Sequence, residues 1–162
     1  MTIQLTQKEK LLLKDQKSHE ELCIQKYSNY AEQAQDQELK DLFNYYAGQE
    51  KQHLDTINQI LDGNVPQMNQ GQNQNQQQNQ QQNQQQAAQN NTSAGFKNES
   101  DKTLCTDALS TEKYISSTYN TTIFECINTD VRKALNHIQK EEQEHGEGIF
   151  NYMQGHGMYN PE

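Results

Sequence analysis

The stretch "ALNHIQKEEQEHGEGIF", residues 134–150, decides how this chain folds, because "LFNYYAGQEKQHLDTIN", residues 42–58, is its counterpart 92 positions earlier. Both carry a glutamate followed three residues later by a histidine: Glu142 with His145, and Glu50 with His53. At the same offset Leu12/Leu104, Asp15/Asp107, Ser18/Ser110, Glu20/Glu112, Tyr27/Tyr119 and Asn44/Asn136 are identical, as are Ile57/Ile149 and Gly63/Gly155. Leu12–Gly63 aligns with Leu104–Gly155 without a gap, which predicts two copies of one unit.

Each copy reads as a helical hairpin. Leu13, Gln16, Glu20, Cys23, Tyr27, Ala31 and Ala34 recur at three- and four-residue steps, one face of a helix. The polar "QDQ" at 35–37 interrupts them, and Leu39, Leu42, Phe43, Tyr46, Glu50, His53, Ile57 and Ile60 form a second stripe. Gly63 offers a left-handed cap and Pro66 blocks continuation. The second copy repeats this with Leu104, Ala108, Glu112, Ile115, Tyr119, Ile123 and Cys126. Its turn is "NTD" at 128–130, with Asp130 as the expected N-cap. Val131, Leu135, Ile138, Glu142, His145, Ile149 and Tyr152 follow, and Gly146 and Gly148 are expected to fray the last turns.

Between the copies, 21 of the 25 residues from Gln67 to Asn91 are Gln or Asn and none is charged. Such a tract buries too little apolar surface to offset its ordering entropy, so residues 64–99 are expected to be a disordered linker. About 35 flexible residues have a root-mean-square span near 30–35 Å, comparable to the length of a bundle. The hairpins 5–63 and 100–155 therefore read as one all-α four-helix bundle with a long crossover and a tail at 156–162. The same linker permits two chains to exchange hairpins, so a homo-oligomer stays open.

The net charge of −9 argues against partners that attract basic patches, nucleic acid and anionic membranes. No apolar run reaches the roughly 20 residues of a membrane span, and no leader opens the sequence, so a soluble, unexported protein is expected. Cys23, Cys105 and Cys126 fit no zinc spacing and read as small buried thiols.

Glu20, Glu50, Glu112, Glu142, His53 and His145 all fall on the apolar stripes. Glu20 lies 16 residues before Asp36 and Glu50 lies 14 after it, so at about 1.5 Å per residue they stand level to within roughly 3 Å. The second copy inherits that spacing, and one layer of the core should hold four carboxylates and two imidazoles. Ionised together they would lose several kcal/mol each (an order-of-magnitude figure), so either some are protonated or cations compensate them. One Glu from each of two helices plus Glu-x-x-His from each of the other two is the ligand set of ferritin-like di-metal bundles. It suits two ions of iron or manganese, with zinc as a further option. Tyr27 and Tyr119 read either as donors to these ligands or as packing aromatics. His19, His137 and His156 lie off the layer and read as solvated, as does most of the acidic run 141–147.

"ALNHIQKEEQEHGEGIFNYM" and the tail "HGMYNP", with the Gln/Asn-rich insert before them, resemble clostridial spore coat proteins of the coat F type. The resemblance extends over nearly the whole chain. It implies a ferritin-like bundle made in the mother cell cytoplasm and deposited on the spore coat among other coat proteins. A structural role is the leading expectation. The alternative is a di-iron or di-manganese oxidase or peroxide scavenger.

Overall fold

The computed structural model describes residues 2–66 and 99–161. Every apolar stripe is a helix: α1 (Gln7–Gln33), α2 (Gln37–Leu61), α3 (Glu99–Glu125) and α4 (Thr129–Gly155). The ends follow from local chemistry. Thr6 and Glu9 close a capping box around the start of α1, each side chain taking the other's backbone N–H. Gly63, at φ +85°, ends α2 as expected, with the Asn64 N–H reaching back to the Gln59 carbonyl at 2.8 Å. The N-cap of α4 is Asn128 and not Asp130, because Thr129 is already helical. The Asn128 Oδ1 accepts the N–H groups of Asp130 and Val131 at 2.9 and 3.1 Å.

The α1–α2 and α3–α4 hairpins pack face to face, α1 beside α3 and α2 beside α4. Contacts at the ends fix the directions. Glu9, early in α1, bonds Ile127 beyond the end of α3, and Tyr152, late in α4, bonds Asp36 just before α2. Both lateral pairs are thus antiparallel, and α2 runs parallel to its diagonal neighbour α3. The last turn of α2 and the first of α3 lie at opposite ends of the bundle, as a long crossover requires. The Gln/Asn tract and the rest of 67–98 lie outside the described residues, and with them almost all of the linker expected to be disordered. No helix among the described residues is long and apolar enough to cross a membrane.

Two apolar clusters fill the bundle. One gathers Phe43, Leu39, Ala108, Ile149 and Met153 near the two hairpin-opening residues Asp36 and Asp101. The other gathers Leu13, Ile57, Ile60, Ile115, Leu135 and Ile138 toward the opposite end. All three cysteines are buried free thiols. The glycines of α4 do not fray it, contrary to the expectation: the helix runs unbroken to Gly155. Gly148 lies under the Tyr46 hydroxyl, which occupies the place a side chain would take, so packing offsets the propensity cost.

The repeat extends to a pair of buried caps that its identities do not include. Glu9 Oε1 accepts the Ile127 N–H at 2.8 Å, while Asp101 accepts those of Gln35 and Asp36 at 2.9 and 3.0 Å. These are the same positions at the offset of 92: each hairpin's first helix brings a carboxylate to the other hairpin's turn. The free N–H groups before α2 and α4 are thereby satisfied, and the hairpins are fastened at both ends.

Replacing Glu9 or Asp101 by alanine should each destabilise the fold by about 1–3 kcal/mol, through the buried N–H groups left unpaired. Burial alone would raise the Glu9 pKa, but the N–H groups of Ile127 and Thr6 and the Thr6 hydroxyl together hold it below the usual glutamate range. Its contribution is therefore fully present above the unfolded-state value of about 4.3 and lost as pH falls through the lower native value. Urea denaturation of wild type and Glu9→Ala should show a stability gap that is constant near neutral pH and closes in acid.

Candidate metal centre

The clusters of the core are parted by a polar layer, and the six residues expected there all reach it. Glu20, Glu50, Glu112 and Glu142 come one from each helix, and His53 and His145 stand one turn past Glu50 on α2 and Glu142 on α4. None is more than 4% exposed. His53 Nδ1 lies 3.0 Å from Glu142, 3.1 Å from Glu50 and 3.6 Å from Glu20. His145 Nδ1 lies 3.2 Å from Glu50, 3.5 Å from Glu112 and 4.0 Å from Glu142. The two imidazoles stack with centroids 5.7 Å apart. Their donor atoms fall into two groups, Glu20–Glu50–His53–Glu142 and Glu50–Glu112–Glu142–His145, each spanning no more than 4.8 Å. Glu50 and Glu142 belong to both.

Tyr27 and Tyr119 settle as donors. Tyr27 on α1 hydrogen-bonds Glu112 on α3, and Tyr119 on α3 hydrogen-bonds Glu20 on α1. Burial, and then the adjacent carboxylates, keep both phenols protonated. Each tyrosine thus steers a carboxylate of the other hairpin. Even so, Glu20 Oε2, Glu112 Oε2 and Glu142 Oε2 find no hydrogen-bond partner among the described residues.

Protons distribute unevenly over the layer. Burial would raise Glu50, but its hydrogen bonds to His145 and His53 outweigh that and hold it well below the usual range. Glu142 is driven well above it by burial and by the charges of Glu112 and Glu50. Burial likewise lifts Glu20 to about 7 against the pull of His53. Burial disfavours charge on His145, yet bonds to Glu112 and Glu50 carry it up to about 9. His53 rises well above its ordinary value for the same kind of reason, with Glu141 the leading partner.

The surroundings break the twofold pattern. Glu141, assigned to the wetted face on sequence, instead bonds His53 Nε2 at 2.8 Å and is largely buried. His137, half-buried, lies 3.4 Å from the other oxygen of Glu141, so it is not simply solvated. The repeat partners of Glu141 and His137 are Gln49 and Tyr45, so the pair has no equivalent beside His145. There Tyr46 lies against the ring at 4.3 Å, seated over Gly148. His19 packs edge-on to Tyr114, and His156 lies 3.6 Å from Glu38 and 3.8 Å from Asp36 at the end of the bundle. An open groove of about 560 Å³ between α3 and α4 descends to Glu112 and Glu142.

Gly148→Ala should destabilise the protein by about 1–3 kcal/mol, because its Cβ would collide with the Tyr46 hydroxyl. Adding Tyr46→Phe removes the colliding atom and should recover a large part of that loss. A thermal-denaturation double-mutant cycle measures the coupling.

Residues 100–162 match the family model of the Coat F domain. No curated protein and no solved structure matches the chain. The matched segment takes in α3, α4 and the tail after Gly155, and with them Glu112, Glu142 and His145. Over residues 100–162 the chain is similar to the Coat F domain, and that likeness supports a relation to the CotF-like spore coat family.

Proposed function

We propose that this protein is a structural component of the spore coat whose ferritin-like bundle is assembled around two metal ions. The observation that carries the metal reading is the set of three buried carboxylate oxygens with no hydrogen-bond partner among the described residues, beside two imidazoles in two donor groups that share Glu50 and Glu142. Unpaired oxygens in an apolar core are costly, and cations are the counter-charges that such a donor set accepts. Glu20, Glu50, His53 and Glu142 would hold one ion, and Glu50, Glu112, Glu142 and His145 the other. Carboxylate-rich sites with one imidazole each suit iron or manganese. Bound there, the ions would replace repulsion between the hairpins by shared coordination.

The coat assignment rests on the Coat F domain. The likeness to that domain supports synthesis in the mother cell cytoplasm and association with other coat proteins. The Gln/Asn tract at 67–91 supplies side-chain amides for multivalent contacts between such partners. The helices on either side act as one domain.

Protein purified without chelators should carry about two ions per chain by elemental analysis. Removing them should lower the melting temperature, since a ligand at one hundred times its Kd adds about 2.7 kcal/mol. Glu50→Ala combined with Glu142→Ala should abolish both retention and the metal-dependent part of stability. Fewer than one ion per chain, with no effect of chelation, would reject the reading.

The groove reaching Glu112 and Glu142 favours a second reading, peroxide scavenging, over an inert structural ion. Disproportionation needs no other reactant: one peroxide takes up two electrons and two protons to give two waters, and a second gives them up to leave oxygen. Loaded protein that releases no oxygen from peroxide would confine the ions to a structural role.

A further inference from the structure

The two hairpins supply equivalent ligands, but they do not cover them equally. The α3–α4 groove has Glu112 and Glu142 at its floor, 2% and 0% exposed, each with one oxygen lacking a hydrogen-bond partner among the described residues. Its walls include Leu109, Ser116, Ser117 and Asn120 from α3 and Gln143 and Gly146 from α4, so hydroxyls and amides share them with apolar carbon. Gln139 spans the two helices, its amide donating to the Ser116 carbonyl at 2.8 Å. The repeat offers an internal comparison. At the offset of 92, Ser116 and Gly146 correspond to Ile24 and Leu54, both half-buried, and Gln139 corresponds to Ala47. The first hairpin presents branched apolar side chains where the second presents a hydroxyl and a bare backbone.

From this difference we infer that the α3–α4 groove is the loading route by which divalent cations reach the buried carboxylates, with Glu112 and Glu142 as the first protein oxygens to replace water. This rests on the metal reading above. The volume is ample: at roughly 30 Å³ per water, a cation with six waters occupies a minor part of the groove. Hydroxyl and amide oxygens along the walls can take the place of departing waters, which apolar walls cannot do. The floor supplies carboxylate oxygens as ligands, one on each of Glu112 and Glu142 having no hydrogen-bond partner among the described residues. Gly146 is the narrow point for a substitution. A Cβ there would meet Leu109 Cδ1 at 3.6 Å and Glu112 Cβ at 3.9 Å, ordinary contacts, so a longer side chain lies over the floor without forcing the backbone. Lys113, at the exposed lip, corresponds to Glu21 in the first hairpin and opposes cations at the mouth.

The test is a stopped-flow loading experiment on the full chain after chelation and dialysis, using cobalt(II) as the probe and its visible absorption as the signal. Gly146→Leu and Ser116→Ile install the first hairpin's residues from opposite walls, and Gly155→Leu makes the same change in α4 where nothing lies within 4 Å. Both groove variants should slow loading at least tenfold while reaching the wild-type metal content at equilibrium, and Gly155→Leu should load at the wild-type rate. Lys113→Glu should quicken loading at low salt. A groove variant that loads at the wild-type rate to full content would overturn the route and leave the metal centre standing. Wild-type protein that retains no cobalt(II) or manganese(II) would overturn the centre and the route together.

Discussion

Four glutamates and two histidines share one water-poor layer across the middle of the bundle, and the rest of the molecule is arranged to tolerate them. Apolar clusters close the layer above and below. Carboxylates this close cannot all ionise without counter-charge, so imidazolium groups, retained protons or cations must be present. A core of leucine and isoleucine at these positions would be simpler and no less stable. Under the proposed function, two cations held by these six residues would supply that counter-charge.

The layer also explains why the hairpins need each other. Neither hairpin contains a complete donor group: Glu142 joins Glu20, Glu50 and His53, and Glu50 joins Glu112, Glu142 and His145. Tyr27 and Tyr119 cross between the hairpins in the same sense, as do the end caps from Glu9 and Asp101. Lys26 adds a partly exposed tie to Asp107 at 2.9 Å. Ions shared by Glu50 and Glu142 would bind the halves at the centre, where the carboxylates otherwise repel.

Much of this was legible before any coordinates, because a gapless repeat and a 3.6-residue period constrain which side chains share a face. Glu20, Glu50, His53, Glu112, Glu142 and His145 could be placed on one level by counting from the turn. Glu141 could not: it is one residue from Glu142, so its direction is set by the neighbouring helix and not by the stripe. Glu9 and Asp101 escaped notice because they differ in residue type and sit ahead of the aligned identities. Gly148 read as a weakness because propensity is local, while its use is a contact with Tyr46 from another helix. The sequence points to Asp130 where the structure caps α4 with Asn128, because "NTD" offers three capping residues in a row and only backbone geometry separates them. The groove was invisible until Ser116 and Gly146 stood side by side.

The most direct measurement is anomalous diffraction from crystals of the full chain grown without chelators, at wavelengths that distinguish manganese, iron and zinc. The account predicts two peaks inside the bundle, each within bonding distance of one imidazole Nδ1, with Glu50 and Glu142 reaching both. An ordered layer with the same six side chains and no anomalous density, even after soaking with manganese(II), would contradict it. The carboxylates would then be held by protons and hydrogen bonds alone.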